Sequence, residues 1–331
     1  MKAIKVTENK TLDLVELAKP DKVSAGHVII KMLACGINAG DSAFINGVFP
    51  KGSIPESQHN LAGVSGVGTV VSVGKDVPEI YEGKNVTVYR SLKFSEDIIG
   101  TWSEYAQLHY LQCAIIPDHL NMEDYSGSLV NIITPYAFFK QIIEEGHKGI
   151  IATAGTSATG IAILGICQQY KFPIISIARN EESKRALEEL GAENILVQSD
   201  VDFKKQLKET AQTFNATAVF DGVGGSILNN IVDVIPFNST IFSYGYLGGQ
   251  IPFSFHTSLL MRGITIKAFS NFNSPTVQNA GKLEKALGEI GAIIALPHFK
   301  TKIGKRFSMK EINEALTFAS GRASGKAILI L

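Results

Sequence analysis

The chain has 331 residues, of which 45% are hydrophobic and 19% are charged, a composition typical of a globular protein with about two domains. Lysine and arginine together number 31, and aspartate and glutamate together also number 31, so the net charge is zero. A neutral chain has no basic field to hold nucleic acid or an anionic membrane, and we expect neither as a partner.

Cysteine usage and the first residues bear on the compartment. Cys35, Cys113 and Cys167 lie far apart, and none belongs to a C-x-x-C pair. This spacing favours neither a disulfide framework nor a thiolate zinc site and is typical of a reducing compartment. The N-terminus is polar and strand-like rather than typical of a signal peptide, so we expect a cytoplasmic protein. Two uncharged stretches, 149–170 and 239–261, are interrupted by small or polar residues, unlike a membrane span.

The first 120 residues are predicted to be rich in strands. Their apolar residues alternate or form short runs, and Gly, Pro, Asn and Asp separate these runs. The predicted strands are 27–33, 66–73, 85–89 and 105–108.

From residue 149 onwards, short apolar strands alternate with helical patterns, which predicts βαβ units on a parallel sheet. Two such halves form a doubly wound nucleotide-binding domain. The predicted strands are 149–153, 173–178, 194–197, 216–220 and 240–244. The predicted helices between them are 158–170, 181–190, 203–214 and 226–235. Two helices near 276–290 and 309–319 and a strand at 326–331 are predicted to follow.

A glycine-rich loop follows the first of these strands, with the sequence Gly155-Thr156-Ser157-Ala158-Thr159-Gly160. Such a loop lets the backbone approach a pyrophosphate and presents N–H groups at the start of a helix. Gly155 suits the tight turn and Gly160 the close contact of helix and strand, whereas Ser157 stands where G-x-G-x-x-G has its middle glycine. We predict that these six residues bind a dinucleotide.

The residues after the second predicted strand bear on the choice of dinucleotide. They are Arg179 and Asn180, and Lys184 lies one turn into the next helix. A site for NADH needs an acidic residue at the strand's end, and none is present. The cations instead indicate the 2′-phosphate of NADPH, to which each charge-assisted hydrogen bond contributes about 1.5–3 kcal/mol. Solvated charges at a helix start are the alternative interpretation.

Six further segments carry a resemblance to a known family. They are ACGINAGD (34–41), GVSGVGTVVSVG (63–74), GTWSEY (100–105), VNIITPY (130–136), FDGVGG (220–225) and GKAIL (325–329). In this order, and with the glycine-rich loop, they resemble the medium-chain dehydrogenase/reductase superfamily over essentially the whole chain. The chain is most similar to the zinc-free quinone oxidoreductase and enoyl-thioester reductase branches.

The resemblance implies an α/β fold that combines a β-rich, GroES-like catalytic domain with a doubly wound Rossmann cofactor domain. The catalytic domain would be discontinuous and cover 1–121 and 272–331, and the NADP-binding domain would cover 122–271. The active site would be the cleft. The resemblance also implies a homodimer joined through edge strands of the cofactor sheets near 239–253, and the uncharged run at 251–255 is consistent with that.

The positions that bind zinc in zinc-dependent members carry other residues here. A Cys and a His-Glu pair are replaced by Asn38, Val64 and Ser65, and the third ligand region offers Val130 and Asn131. None of these is a thiolate or imidazole ligand, so we expect no metal. Zinc-assisted alcohol oxidation is then disfavoured, because nothing would lower the pKa of a bound alcohol.

By resemblance, three residues are expected to be catalytic. Asn38 and Asp41 would line the cleft near the nicotinamide, and Thr134 would lie beside the ring or its ribose. A turn is the alternative for the first two, because residues 36–41 are rich in turn formers.

Further cofactor contacts are expected at the carboxyl ends of the fourth and fifth strands, where open α/β sheets bind ligands. Lys326 is expected to reach a phosphate or the substrate, with a surface charge at the start of a strand as the alternative. The expected contacts are Asn131, Thr134, Gly222, Val223, Tyr244, Gly245, Tyr246, Phe269, Ser270 and Lys326.

Three functions stay open: an NADPH-dependent quinone reductase, a 2-enoyl-thioester reductase, and a non-catalytic NADPH-binding protein. In enoyl-thioester reductases, a tyrosine thought to donate or position a proton stands where this chain has Phe49. The absence of that hydroxyl favours a quinone acceptor, since solvent can supply its protons, although Val130-Asn131 before Thr134 resembles the enoyl-thioester branch. Many quinone oxidoreductases also carry a tyrosine where this chain has Gln198.

Overall fold

The computed structural model describes residues 1–46, 56–249, 251–321 and 325–331. The chain divides into two compact units. The first comprises Met1–Val130, Leu283–Ala295 and Lys300–Leu331, and the second comprises Asn131–Lys282 and Leu296–Phe299. The domain limits expected from the sequence differ from the limits of these compact units. The division into a catalytic and a cofactor domain at those limits stays a prediction.

Fifteen strands and nine α-helices lie within the described residues. The strands are β1 (Lys2–Val6), β2 (Leu12–Glu16), β3 (His27–Gly36), β4 (Ser65–Val73), β5 (Asn85–Tyr89), β6 (Tyr105–His109), β7 (Cys113–Ile115), β8 (Ile150–Ala152), β9 (Ile174–Ala178), β10 (Ile195–Val197), β11 (Ala218–Asp221), β12 (Thr240–Ser243), β13 (Thr265–Ala268), β14 (Ile303–Ser308) and β15 (Lys326–Ile330). The helices are α1 (Ala39–Ile45), α2 (Ser128–Glu144), α3 (Ala158–Gln169), α4 (Glu181–Glu188), α5 (Phe203–Thr213), α6 (Ser226–Ile231), α7 (Pro275–Gln278), α8 (Ala280–Ile293) and α9 (Ile312–Ser320).

The first unit is organised around the long strand β3. On one side β3 pairs with β4, and on the other its first half pairs with β6 and its last residues pair with β15. These strands belong to a seven-stranded sheet in the order β14-β15-β3-β4-β5-β7, with β6 on β3. Because β3, β4 and β5 are successive antiparallel neighbours, the end of β3, the start of β4 and the end of β5 meet at one edge. The start of β15 joins them there, since β15 runs antiparallel to β3.

The second unit is a doubly wound α/β structure. Its six strands are all parallel and follow the order β10-β9-β8-β11-β12-β13. All five residues of β9 are buried, as expected for a parallel strand covered by helices on both faces. The strand order reverses between β8 and β11, and open sheets of this kind bind ligands at the carboxyl ends beside such a reversal.

The α/β fold class predicted from the sequence is confirmed. The element pattern differs in two helices, since the helix expected at 276–290 is divided into α7 and α8 at Asn279, which is extended (φ −102°, ψ 118°). The helix expected at 309–319 begins with a 3₁₀ turn at Met309–Glu311 before α9.

The edge strand expected within 239–253 lies elsewhere. β12 is inside the sheet, between β11 and β13, and β13 forms the edge on this side among the described residues. Strand β13 has four residues that are mostly exposed, so it lacks the long apolar run by which a strand is recognised in a sequence.

Within the described part of the chain, no helix combines the length and apolar character needed to cross a bilayer.

Candidate functional site

In the second unit, the glycine-rich loop joins β8 to α3 beside the strand-order reversal. Ser157 is the N-cap of α3, and its hydroxyl oxygen accepts a hydrogen bond from the Gly160 N–H at 3.0 Å. A serine therefore replaces the middle glycine of the pattern for a local reason, because an N-cap side chain satisfies one free N–H of the first turn. Free N–H groups in the first turn of a helix favour a ligand of negative charge.

The two glycines of this loop have different roles. A Cβ on Gly160 would overlap the Ala154 carbonyl oxygen and lie 2.8 Å from the Gly155 carbonyl oxygen, so α3 packs directly on the loop backbone. A Cβ on Gly155 would lie 3.0 Å from the Ile177 carbonyl oxygen. Gly155 lies inside a tight turn, closed by the hydrogen bond from the Ser157 N–H to the Ala154 carbonyl oxygen at 2.9 Å, and the left-handed residue beside it is Ala154, with φ 52°. Gly155 also allows close packing against β9.

Asp221, at the end of β11, organises the neighbouring loop. Its buried carboxylate accepts hydrogen bonds from Thr153 Oγ1 (2.7 Å), the Val223 N–H (3.1 Å) and the Gly224 N–H (3.1 Å). The Thr153 hydroxyl oxygen in turn accepts from the Gly222 N–H at 2.9 Å. Sequence reasoning missed Thr153 and Asp221 as positioning residues, although polar residues ending two apolar strands were a usable signal.

The residues after β12 lie against this loop. The Leu247 N–H donates to the Gly222 carbonyl oxygen at 3.0 Å, and the Tyr244 ring stacks on Phe220 with centroids 4.0 Å apart. A Cβ on Gly222 would lie 2.6 Å from Tyr244 Cζ, so only glycine leaves room for this ring. Within the described part of the chain, the buried Tyr244 hydroxyl has no partner in hydrogen-bond geometry. Ser157 lies close enough to lower its pKa against the rise that burial causes.

The structure thus brings together, at the carboxyl ends of adjacent strands, most of the residues expected to bind the cofactor. These residues differ in exposure. Tyr246 is 74% exposed, and Thr156 and Ala158 are also exposed. Thr159, Val223 and Gly245 are half-buried.

Arg179 and Asn180 follow β9 and are both exposed. The Asn180 side chain accepts a hydrogen bond from the Ser183 N–H at 2.9 Å and caps α4, so its amide has a structural role. Lys184 lies half-buried in the first turn of α4. Gln198 follows β10, and its N–H donates to the Ala178 carbonyl oxygen, which places it beside the residues that follow β9.

Asn131 and Thr134 lie in α2, where Pro135 lacks an N–H and cannot donate to the Asn131 carbonyl oxygen. Thr134 is half-buried. Phe269 is a core residue rather than an open contact: its ring is 7% exposed and packs edge-on against Phe138, with centroids 5.6 Å apart. Ser270 follows it and is half-buried.

The first unit holds a second group of functional candidates, at the sheet edge where β3, β4, β5 and β15 meet. We call it the buried polar cluster, and its members are Asn38, Asp41, Ser65, Arg90 and Lys326. The Lys326 ammonium donates to Asn38 Oδ1 at 2.7 Å. Asn38 Nδ2 donates to Ser65 Oγ at 2.8 Å and to Asp41 Oδ2 at 3.1 Å.

The expected turn at Asn38 and Asp41 is the start of a helix. Asn38 is the N-cap of α1 and Asp41 is the third helical residue, whose carboxylate accepts the Asn38 backbone N–H at 2.8 Å. Asparagine and aspartate are favoured in turns and at helix N-termini for the same reason, since both bond to nearby backbone N–H groups. The surface-charge alternative for Lys326 is wrong, because its ammonium is engaged with Asn38.

Burial governs the charges of this cluster. Asp41 is 2% exposed and Arg90 is fully buried. Burial raises the pKa of Asp41, which hydrogen bonds from Asn38 and the nearby charges of Arg90 and Lys326 oppose. Burial also lowers the pKa of Arg90 to about 10 and that of Lys326 to about 8, in both cases against the attraction of Asp41. Among the described residues, Arg90 Nε and Nη2 and Asp41 Oδ1 have no hydrogen-bond partner.

Two of the positions expected to correspond to zinc ligands, Asn38 and Ser65, take part in this network of hydrogen bonds. The Asn38 amide and the Ser65 hydroxyl are bonded to each other, and Val64 is a buried apolar residue. Among residues 1–46, 56–249, 251–321 and 325–331, no three His, Cys, Asp or Glu side chains are grouped as a metal site would need. Phe49 lies outside the described residues.

Two family models match the chain in successive segments. The alcohol dehydrogenase GroES-like domain matches residues 24–118, and the zinc-binding dehydrogenase domain matches residues 158–286.

Relatives of known name or structure extend over most of the chain. The mitochondrial enoyl-[acyl-carrier-protein] reductase of Caenorhabditis elegans is 27% identical over 78% of this chain and 73% of its own length. The quinone oxidoreductase of Salmonella typhimurium is 21% identical over 97% of this chain and 96% of its own. A solved mycobacterial structure complexed with NADPH is 21% identical, covers both chains fully and superposes with a TM-score of 0.75.

Proposed function

Because this chain belongs to the medium-chain dehydrogenase/reductase superfamily, we propose that it is an NADPH-dependent oxidoreductase that reduces a quinone or a similar activated carbonyl compound without zinc. The observation that carries the proposal is the construction of the loops after β8, β11 and β12. Their close backbone packing and the unpartnered Tyr244 hydroxyl fit a bound dinucleotide.

The residues proposed to hold NADPH act mainly through the backbone. The first turn of α3, which begins after the N-cap Ser157, would bind the pyrophosphate. The backbone of Gly222 and Val223 would line the bound dinucleotide at the carboxyl ends of the strands. The Tyr244 hydroxyl would gain the hydrogen bond that it lacks. When bound, NADPH supplies a hydride from its nicotinamide ring.

Arg179 supports the choice of NADPH over NADH. It is exposed at the end of β9, where its guanidinium is free to turn towards a 2′-phosphate, and Lys184 lies one turn away. No carboxylate occupies the first two positions after β9 to accept hydrogen bonds from a ribose diol.

Zinc-independence is supported by the Asn38–Ser65 hydrogen bond, since both side chains use their polar atoms on each other and on the backbone. A reductase of this kind needs positioning of the acceptor and exclusion of water rather than a Lewis acid. We propose that Asn38 and Thr134 contact the reacting groups and that Asp41 positions Asn38.

The second candidate is reduction of a 2-enoyl thioester. The named Caenorhabditis elegans relative is an enoyl reductase, and it is more similar in sequence than the Salmonella typhimurium quinone oxidoreductase. A third candidate is NADPH binding without turnover, for which the intact cofactor loops are sufficient.

The test follows NADPH oxidation by absorbance with an ortho-quinone, a para-quinone and a 2-enoyl thioester, and repeats each assay with NADH. Fast quinone reduction with NADPH and slow reduction with NADH would support the proposal. Turnover with the thioester alone would replace it by the second candidate. Tight NADPH binding with no acceptor reduced would favour the third candidate, and equal use of NADH would overturn the role of Arg179.

We also propose a cytoplasmic homodimer. The β13 edge supports the dimer, because Ile266 is 38% exposed on a strand with one unpaired side among the described residues. We expect the wild-type mass in light scattering to be that of two chains, and Ile266→Lys to shift it towards one chain. A monomeric wild type at micromolar concentration would exclude the dimer.

A further inference from the structure

The aliphatic stem of Lys326 packs against two glycines, Gly36 and Gly127. A Cβ on Gly127 would lie 2.8 Å from both Cδ and Cε of the lysine, and a Cβ on Gly36 would lie 3.0 Å from Cδ. A side chain at either glycine would therefore displace the aliphatic stem. Lys326 as a whole is half-buried, and burial of its ammonium is the main cause of its lowered pKa.

The Lys326 ammonium is oriented by the side-chain amide of Asn38, and the other hydrogen bonds of that amide determine which way it faces. Asn38 Nδ2 has three acceptors within hydrogen-bond distance, Gly36 O (3.1 Å), Ser65 Oγ (2.8 Å) and Asp41 Oδ2 (3.1 Å), among which its two N–H groups are shared. The amide oxygen must therefore face the lysine. The ammonium donates to that oxygen at 2.7 Å and to the Ile37 carbonyl oxygen at 3.4 Å. An ammonium has three N–H groups, so one remains for another acceptor.

The neighbouring groups leave Lys326 as the suitable acid of the buried polar cluster. Arg90 is fully buried, and a guanidinium does not release its proton in proteins. Asp41 is 2% exposed, and its Oδ2 accepts hydrogen bonds from the backbone N–H and the side-chain amide of Asn38, so this carboxyl serves to hold Asn38. Burial raises the pKa of Tyr89 and of Cys35 well above the ordinary range, so neither is an effective acid near neutral pH.

We propose that Lys326 donates the proton that completes reduction of the acceptor and that Asn38 orients its ammonium for this transfer, an inference that rests on the proposed reductase function. Lys326 would then supply the proton that the side chain of Phe49, which has no hydroxyl, cannot donate.

The proton balance of the step is simple. A two-electron reduction adds a hydride and a proton to the acceptor. One N–H bond of Lys326 breaks as a new bond forms to the acceptor atom that has become negatively charged, a quinone oxygen or the α-carbon of an enoyl thioester. The electron pair of the N–H bond stays on Nζ, which then takes a proton from water. Positioned proton donors of this kind accelerate reactions by about 10²–10⁴-fold.

The test compares Lys326→Arg with Lys326→Met in the full-length protein. Arginine keeps the positive charge but cannot lose its proton, so both variants should lower kcat for the best acceptor by about 100-fold or more. The KM for NADPH should change less than about threefold, because ground-state binding is retained. Wild-type kcat should fall as pH rises through about 8, since the protonated amine is the donor, and the Arg variant should lack this fall. Lys302→Met, the same change at an exposed lysine, is the matched control.

A second measurement needs neither cofactor nor acceptor. Folding lowers the pKa of Lys326 from 10.5 to about 8, so unfolding takes up a proton between these values and the free energy of unfolding rises with pH across that window. The folding equilibrium constant should increase by up to about 300-fold there. The rise should persist in Lys302→Met and be absent from both Lys326 variants.

The outcomes separate the two proposals. Wild-type kcat in Lys326→Arg would overturn the donor role while leaving the reductase function intact, because charge alone would then suffice. A stability profile without the rise in the wild type would also overturn the donor role, since the amine would titrate as an exposed lysine does. A wild type that reduces no acceptor would overturn the proposed function, and the donor role with it.

Discussion

The glycine-rich loop of the second unit and the buried polar cluster of the first unit are both candidate sites, but they are built in opposite ways. The loop places backbone N–H groups with residues that are neighbours in sequence, such as Ser157 and Gly160. The cluster places side chains from distant segments, and its bond between Lys326 and Asn38 joins residues 288 positions apart.

This difference predicts how each region responds to substitution. A backbone site should fail when space is lost, whereas a side-chain cluster should fail when charge or hydrogen bonding is lost. The cluster is also the more costly to disturb, because its charged groups lie out of water.

The largest effect is expected for Asp41→Asn. Removing the carboxylate leaves the buried Arg90 charge without its compensating anion, which should lower the free energy of unfolding by about 3–5 kcal/mol. The double variant Asp41→Asn/Arg90→Met should recover most of that loss. Denaturant unfolding near neutral pH measures both. A loss below about 1 kcal/mol in the single variant would mean that the Asp41 carboxylate does not stabilise the nearby Arg90 charge in the folded protein.

A smaller loss is expected for Asp221→Asn, which tests whether the second unit also depends on a buried charge. The change weakens bonds from Thr153, Val223 and Gly224, so the free energy of unfolding should fall by about 2–3 kcal/mol. Asp233→Asn is the matched control, because Asp233 is in an exposed pair with Lys204 and should cost less than about 1 kcal/mol. Equal losses at the two positions would contradict a positioning role for Asp221.

Gly160→Ala tests the loop as a site limited by space. The added methyl group would overlap backbone atoms of the loop, which should cost about 1–3 kcal/mol and weaken NADPH binding. Gly288→Ala, in α8, is the control: a Cβ there meets nothing within 4 Å, so stability should rise by up to about 1 kcal/mol. Thermal unfolding and NADPH titration by fluorescence give both quantities. Unchanged NADPH affinity in Gly160→Ala would remove this loop from the proposed site.

The smallest effect on stability is expected for Arg179→Ala, because Arg179 is exposed. NADPH affinity should fall by about 10–100-fold as a charge-assisted hydrogen bond is lost, and NADH affinity should stay unchanged. Arg185→Ala, an exposed arginine in α4, is the control for general electrostatic effects. A parallel fall in the affinities for both dinucleotides would argue against contact with the 2′-phosphate.

Much of the second unit was predictable because its signals are local. Five apolar runs became β8, β9, β10, β11 and β12, with ends within about two residues of those expected. Strand β13 was not predicted, because its four residues are mostly exposed and give no apolar pattern. Only its pairing with β12 in the folded sheet defines it as a strand. Gly155 was expected in a tight turn and lies in one, but its close packing against β9 and the left-handed conformation of Ala154 could not be predicted from the sequence.

The amino-acid sequence by itself determined the α/β class, the order of the βαβ units and the glycine-rich loop, because each follows from residues close together in the chain. Only the tertiary structure decided that Asp221 accepts from Thr153, 68 residues earlier, and that Lys326 meets Asn38 between two glycines. The physical reason is that burial and hydrogen bonding between distant segments depend on sheet pairing, and that pairing sets which side chains share one edge.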